Sequence, residues 1–140
     1  MLHDGLVKIT DFGIARLTDT SRTKTGIILG TPSYMSPEQL AGTNLTGQTD
    51  LFSLGITLYQ LLTGMAPFRA DSISRLMQKI AHERHEPVGE LRDDLPPCVD
   101  EILDRALAKD PAERFASGRA MALALRDCCS NFAVSAPVQP

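Results

Sequence analysis

The sequence predicts a mainly α-helical domain arranged around one buried helix. Two observations carry this. First, Leu51, Phe52, Leu54, Ile56, Leu58, Tyr59, Leu61 and Leu62 cover most of the circumference of a helix that Thr49-Asp50 opens and that ends near Gly64. A helix apolar nearly all round belongs in the centre of a domain. Second, three further stretches carry apolar residues at helical spacing. They are Ile73, Leu76, Met77 and Ile80; Val99, Ile102, Leu103, Ala106 and Leu107; and Met121, Ala124, Leu125 and Cys128.

Composition narrows the function classes. The 140 residues make one small domain at most, and 43% hydrophobic against 22% charged residues suits a packed core. The net charge of −3 argues against nucleic-acid binding, which needs a basic face. No apolar run approaches the roughly 18 residues of a membrane span, and the start lacks the pattern of a signal peptide. Cys98, Cys128 and Cys129 are odd in number and form no C-x-x-C. They do not read as a disulfide scaffold or a zinc site, and a reducing, cytoplasmic compartment is expected.

Element by element, Asp4-Gly5 is a turn signal before the strand-like Leu6-Val7-Lys8-Ile9, so the chain opens on a short β-hairpin remnant. Residues 16 to 31 are rich in Thr, Ser and Gly and read as a long functional loop. Ser36-Pro37-Glu38-Gln39 is a helix start: Ser36 suits the N-cap, Pro37 the first helical position, and Gln39 closes a capping box. Gly42 stops that helix. The central helix and the three amphipathic helices follow, with Pro87 to Pro97 as a connecting loop. Asp110-Pro111 separates the last two helices. Ala133 to Pro140 has no period and reads as a tail or linker. His82 and His85 lie on what reads as a solvated face.

The segment Val7-Lys8-Ile9-Thr10-Asp11-Phe12-Gly13-Ile14-Ala15-Arg16 resembles the magnesium-binding segment of a protein kinase, of the bacterial eukaryotic-like (Hanks-type) serine/threonine kind. Gly30-Thr31-Pro32-Ser33-Tyr34-Met35-Ser36-Pro37-Glu38 resembles the end of that family's activation segment. Asp50-Leu51-Phe52-Ser53-Leu54-Gly55 resembles its central helix, and Asp110-Pro111-Ala112-Glu113-Arg114-Phe115 the turn before its last helix. The four motifs stand in the family's order. The resemblance implies a partial kinase domain over residues 1–130, from just after the catalytic loop through the C-lobe helices, with 131–140 as tail.

The resemblance implies roles residue by residue. Asp11 would hold Mg²⁺ bridging the ATP phosphates, with Phe12 packing into the lobe and Gly13 supplying backbone freedom. Met1 and Leu2 would belong to the floor of the adenine pocket. Thr31 would support the catalytic base. Thr23 and Thr25 are candidate phosphorylation sites, where added charge can order a loop; Thr18, Thr20 and Ser21 are weaker candidates. Glu38 and Arg114 would form a buried ion pair, in a Ser-Pro-Glu variant of the usual Ala-Pro-Glu. Asp50 would be a buried aspartate binding the catalytic-loop backbone, or an ordinary N-cap.

The 140 residues contain no G-x-G-x-x-G and no H-R-D motif. The parent protein is therefore expected to transfer the ATP γ-phosphoryl group to protein Ser/Thr hydroxyls, with the preceding half of the kinase as partner. This chain alone is expected to be inactive, to bind ATP and Mg²⁺ at most weakly, and to be marginal in stability, with Ser36 to Leu125 more ordered than residues 1 to 30. A membrane anchor in the parent would follow Pro140. A non-catalytic kinase-like helical module that docks a protein partner is the alternative.

Overall fold

The computed structural model describes residues 2–3, 6–7 and 32–135, with side chains over 32–131. The chain divides into two compact units, Met1–Gly30 and Thr31–Pro140. In the first, strands β1 (Leu2–His3) and β2 (Leu6–Val7) pair antiparallel, Leu2 with Val7 and His3 with Leu6.

The second unit is helical, as the apolar spacing predicts. A 3-10 turn, Pro32–Tyr34, precedes α1 (Pro37–Ala41), α2 (Gly47–Thr63), α3 (Ile73–His82), α4 (Val88–Leu91) and α5 (Cys98–Ala106). A second 3-10 turn, Pro111–Glu113, leads into α6 (Gly118–Ser135). The start of α1 has the expected capping box: Ser36 Oγ accepts from the Gln39 N–H, and Gln39 Oε1 accepts from the Ser36 N–H. Gly42 and Gly64 end α1 and α2 at φ of 67° and 74°, the left-handed region that favours glycine.

Helix α2 runs through the core and touches all of its parts. Leu51 packs with Ile102, Ala106, Phe115 and Met121. Phe52 and Ile56 pack with Phe68, Leu76, Ile80 and Leu107. Tyr59 packs with Val88 and Leu103. Helices α2 and α5 meet closely at Gly55, where an added Cβ would lie 3.0 Å from Ala106 Cβ and 3.1 Å from Leu107 Cδ2. Ala106 has no rotamer with which to retreat. Gly55→Ala should therefore destabilise the unit by about 1–3 kcal/mol, outweighing the helix propensity that alanine adds. A urea midpoint equal to or above that of the parent would refute this.

Five expectations need correction. Helix α2 begins at Gly47, with Thr46 as its extended N-cap, so Asp50 lies in the first turn and does not cap. The helix is not buried all round: Leu54 is 37% and Leu61 78% exposed, on the stripe that also carries Asp50 and Thr57. The loop between Pro87 and Pro97 contains α4, capped from a distance by Asp100, whose Oδ1 accepts from Val88 N–H at 2.6 Å and Oδ2 from Gly89 N–H at 3.0 Å. Helix α6 continues to Ser135, past the expected boundary at residue 130.

The last correction concerns cysteine. Cys98 and Cys128 form a disulfide that ties the start of α5 to α6, and Cys129 is an exposed free thiol. Packing of α5 on α6 brings the two Cα atoms to 5.8 Å, within the span a disulfide bridges.

Candidate functional site

Within the described residues the chemistry concentrates where α1, the start of α2 and the 110–114 turn converge. Glu38 sits in the first turn of α1, placed there by the Ser36 cap and Pro37. Arg114 follows the second 3-10 turn, whose Asp110 side chain accepts from the Ala112 N–H. Arg114 Nη1 donates to Glu38 Oε1 at 2.6 Å and Nη2 to Oε2 at 2.8 Å, a two-pronged contact between residues 76 apart. Glu38 is 7% and Arg114 2% exposed.

Burial of two charges is costly unless every donor and lone pair finds a partner. Here each guanidinium N–H does. Nε donates to Ala108 O, Nη1 also to Gln48 O, and Nη2 also to Lys109 O. The guanidinium also lies over Phe52, 4.8 Å from the ring centroid. Glu38 Oε1 accepts a further hydrogen bond from Thr49 Oγ1 at 2.9 Å. Burial pushes the Glu38 carboxyl up, but the hydrogen bonds from Arg114, the backbone and Thr49 outweigh it and hold it below its ordinary value.

Lys109 forms the neighbouring part of the site. Its ammonium donates to Ile80 O at 2.7 Å, lies 3.4 Å from Lys79 O, and sits 4.0 Å from the Phe68 ring centroid. Burial first, then the Arg114 charge, lowers its pKa to about 8, with Glu83 opposing. The folded value is thus below the ordinary 10.5. Between about 8 and 10.5 the unfolded chain keeps a proton that the folded chain has released, so stability rises with pH across that interval. Urea unfolding between pH 8 and 9.5 should show this rise in the parent and a flatter profile in Lys109→Met. Parallel profiles would count against it.

The residues before α1 are fastened to α2. Ser53 Oγ donates to Tyr34 O at 2.8 Å and Tyr34 Oη donates to Gln60 Oε1 at 2.5 Å. The remaining candidates divide as follows. Met1, Asp11, Phe12, Gly13, Thr23, Thr25 and Thr31 lie outside the described residues, and of Leu2 only its strand pairing is described. Asp50, expected to be buried, is exposed. The sequence carries no H-R-D segment to cover it.

His85 is a further correction. It is buried, with Nδ1 3.0 Å from Glu86 O and its ring edge-on to Tyr59. Its Nε2 lies 3.3 Å from Asp104 Oδ1, at an angle that does not make a hydrogen bond. His82 is exposed, as expected. Among the described residues no three His, Cys, Asp or Glu side chains are grouped to hold a metal. None of the described helices is long and apolar enough to cross a membrane.

No local signal marks the contacts that Thr49 and Lys109 make at the site: the Thr49 hydroxyl reaches Glu38 across 11 positions and the Lys109 ammonium reaches Ile80 across 29.

Residues 1–125 match the protein kinase domain. Serine/threonine-protein kinase PksC of Streptomyces coelicolor is 46% identical over 145 residues, covering 100% of this chain and 25% of that protein. Serine/threonine-protein kinase pkn3 of Myxococcus xanthus is 42% identical over 121 residues, 81% of this chain and 22% of that protein. Serine/threonine-protein kinase PknD of Mycobacterium tuberculosis is 39% identical over 125 residues, 88% and 19%. The chain thus spans a quarter or less of the length of these curated relatives. A match this long, over a helical unit in which Glu38 and Arg114 meet as the kinase-like motifs imply, makes the chain a member of the protein kinase domain family, of the bacterial serine/threonine type.

Proposed function

We propose that the chain is the C-lobe part of a serine/threonine protein kinase, whose whole transfers the ATP γ-phosphoryl group to Ser or Thr hydroxyls of protein substrates. The observation that carries this reading is the Glu38–Arg114 pair. It fixes the end of the Gly30-to-Glu38 segment on the helical unit, and that segment resembles the part of a kinase that receives the acceptor peptide. Asp11, an oxygen donor of the hard kind Mg²⁺ prefers, is the residue that would hold the metal. Mg²⁺ supplies charge neutralisation on the phosphate oxygens when bound. Thr31 would orient the catalytic base, and Thr23 or Thr25 would take a regulatory phosphate.

The chain alone does not transfer phosphate in this reading. A glycine-rich cover, an ATP-pairing lysine and a catalytic aspartate supply most of the positioning and charge stabilisation that phosphoryl transfer needs. The sequence has no segment of the first or third kind.

The test compares two polypeptides with radiolabelled ATP, Mg²⁺ and a protein acceptor. One is this chain. The other carries an H-R-D motif and a glycine-rich loop in frame ahead of it. Label on acceptor Ser/Thr from the longer protein alone, abolished by Asp11→Asn, is the expected result. Transfer by this chain alone would overturn the inactivity, and an inert longer protein would overturn the kinase reading.

A further inference from the structure

We propose that Lys109 is a clasp between the C-terminal end of α3 and the buried Glu38–Arg114 pair, so that the packing of α3 and the seating of Glu38 are energetically coupled. The carbonyls in the last turn of a helix lack intrahelical partners. The α3 carbonyl of Ile80 takes its hydrogen bond from Lys109 Nζ at 2.7 Å. The same residue's backbone carbonyl accepts from Arg114 Nη2 at 3.2 Å, and Arg114 Nη2 also donates to Glu38 Oε2. One residue therefore touches α3 with its side chain and the ion pair with its main chain.

The aromatic rings complete the link. Phe52 of α2 has the Arg114 guanidinium 4.8 Å and the Lys109 ammonium 5.8 Å from its centroid. Phe68 stacks on Phe52, with centroids 6.3 Å apart, and has the Lys109 ammonium 4.0 Å away. Two cations thus sit near one ring. They repel, and two carboxylates oppose them: Glu38, paired with Arg114, and Glu83 at the end of α3, itself paired with Arg75 at 2.8 Å. Neutralising Glu38 leaves Arg114 free to push on Lys109 and, through it, on Ile80. Pulling α3 away leaves a partly buried ammonium without its acceptor. Each change alters the cost of the other, and such coupling is reciprocal.

The sign of the coupling follows. Glu38→Gln should be less damaging once the Lys109 charge is gone. Lys109→Met keeps the apolar stem over Phe68 while removing the donor and the charge. In the 140-residue chain, urea unfolding of Lys109→Met, Glu38→Gln and the double variant tests this. The double variant should be more stable than the product of the single effects predicts, by about threefold or more in the unfolding constant. A smaller or opposite departure overturns the clasp.

Should Glu38→Gln fail to fold, hydrogen exchange on Lys109→Met alone decides. The amides of Leu40 and Thr43, which bond Ser36 O and Glu38 O, should exchange faster by the same factor, about threefold or more. The amide of Met121, bonded to Ser117 O in the first turn of α6, should not change. Unchanged exchange around α1, or an equal rise at Met121, overturns the proposal, because a merely structural lysine would loosen either its own neighbourhood or the whole unit.

Discussion

Arg114→Ala lowers the unfolding free energy of the helical unit by about 3–5 kcal/mol, the cost of leaving one member of a buried pair behind. Glu38 would keep a carboxylate at 7% exposure with only Thr49 Oγ1 donating to it from a side chain. The carbonyls of Gln48, Ala108 and Lys109 would lose a donor at the same stroke. Glu38→Ala strands the guanidinium instead and should cost a similar amount. Replacing both by apolar residues of like volume should cost far less than either. Denaturant unfolding followed by circular dichroism reads all three, and an Arg114→Ala loss below about 1 kcal/mol would show that the pair carries no such weight.

Acid should act through the same contact. The folded Glu38 value lies below its ordinary 4.5. Its contribution is therefore complete above that pH and is lost as the pH falls through the lower, folded value. Stability of the parent should decline more steeply below pH 4.5 than that of Glu38→Gln.

Reduction of the Cys98–Cys128 bond should lower stability by about 3–4 kcal/mol, from the entropy regained by opening a loop of this length in the unfolded chain. The two residues are 30 apart, and Cys128 is buried against the same cluster as Leu51 and Met121. The expected observations are one free thiol per oxidised chain, three after reductant, and a lower urea midpoint in the reduced form. Three titratable thiols in the untreated native protein would remove the bond from the account. Cys98→Ala with Cys128→Ala should match the reduced parent within packing differences.

The sequence was most legible where the deciding chemistry is local. Ser36, Pro37 and Gln39 write the α1 cap within four residues, and the caps form as read. The apolar spacing marks α3, α5 and α6 because Leu76 and Ile80, Ile102 and Leu103, and Met121 and Cys128 reach the core, although Ile73 of the α3 stripe is 55% exposed. It failed where a distant residue decides. Helix α4 is four residues between polar neighbours, and its cap is Asp100, 12 positions on from Val88. His85 looks solvated in the run His82-Glu83-Arg84-His85, yet Tyr59 of α2 and Asp104 of α5 enclose it. Gly47, a poor helix former, hid the true start of α2. The Cys98–Cys128 spacing carries no motif, and only the docking of α5 on α6 joins them.

At the implied site the sequence named both partners of the ion pair, because the motifs around them are recognisable. It gave no role at the pair to Thr49, read only as a helix opener, or to Lys109. Asp50 is exposed, and the role that the resemblance gives it needs a catalytic-loop backbone that no H-R-D motif in these 140 residues supplies.

Helix α2 also sets a timetable for synthesis. Its buried residues Phe52, Ile56 and Tyr59 meet Phe68, Leu76 and Ile80 first and Leu103 and Leu107 last, so the ribosome must add about 45 residues after α2 before its inner face is fully covered. At roughly 5–20 residues per second that interval is on the order of 2–9 seconds. During it the nascent helix displays aromatic side chains to whatever holdase waits at the exit tunnel.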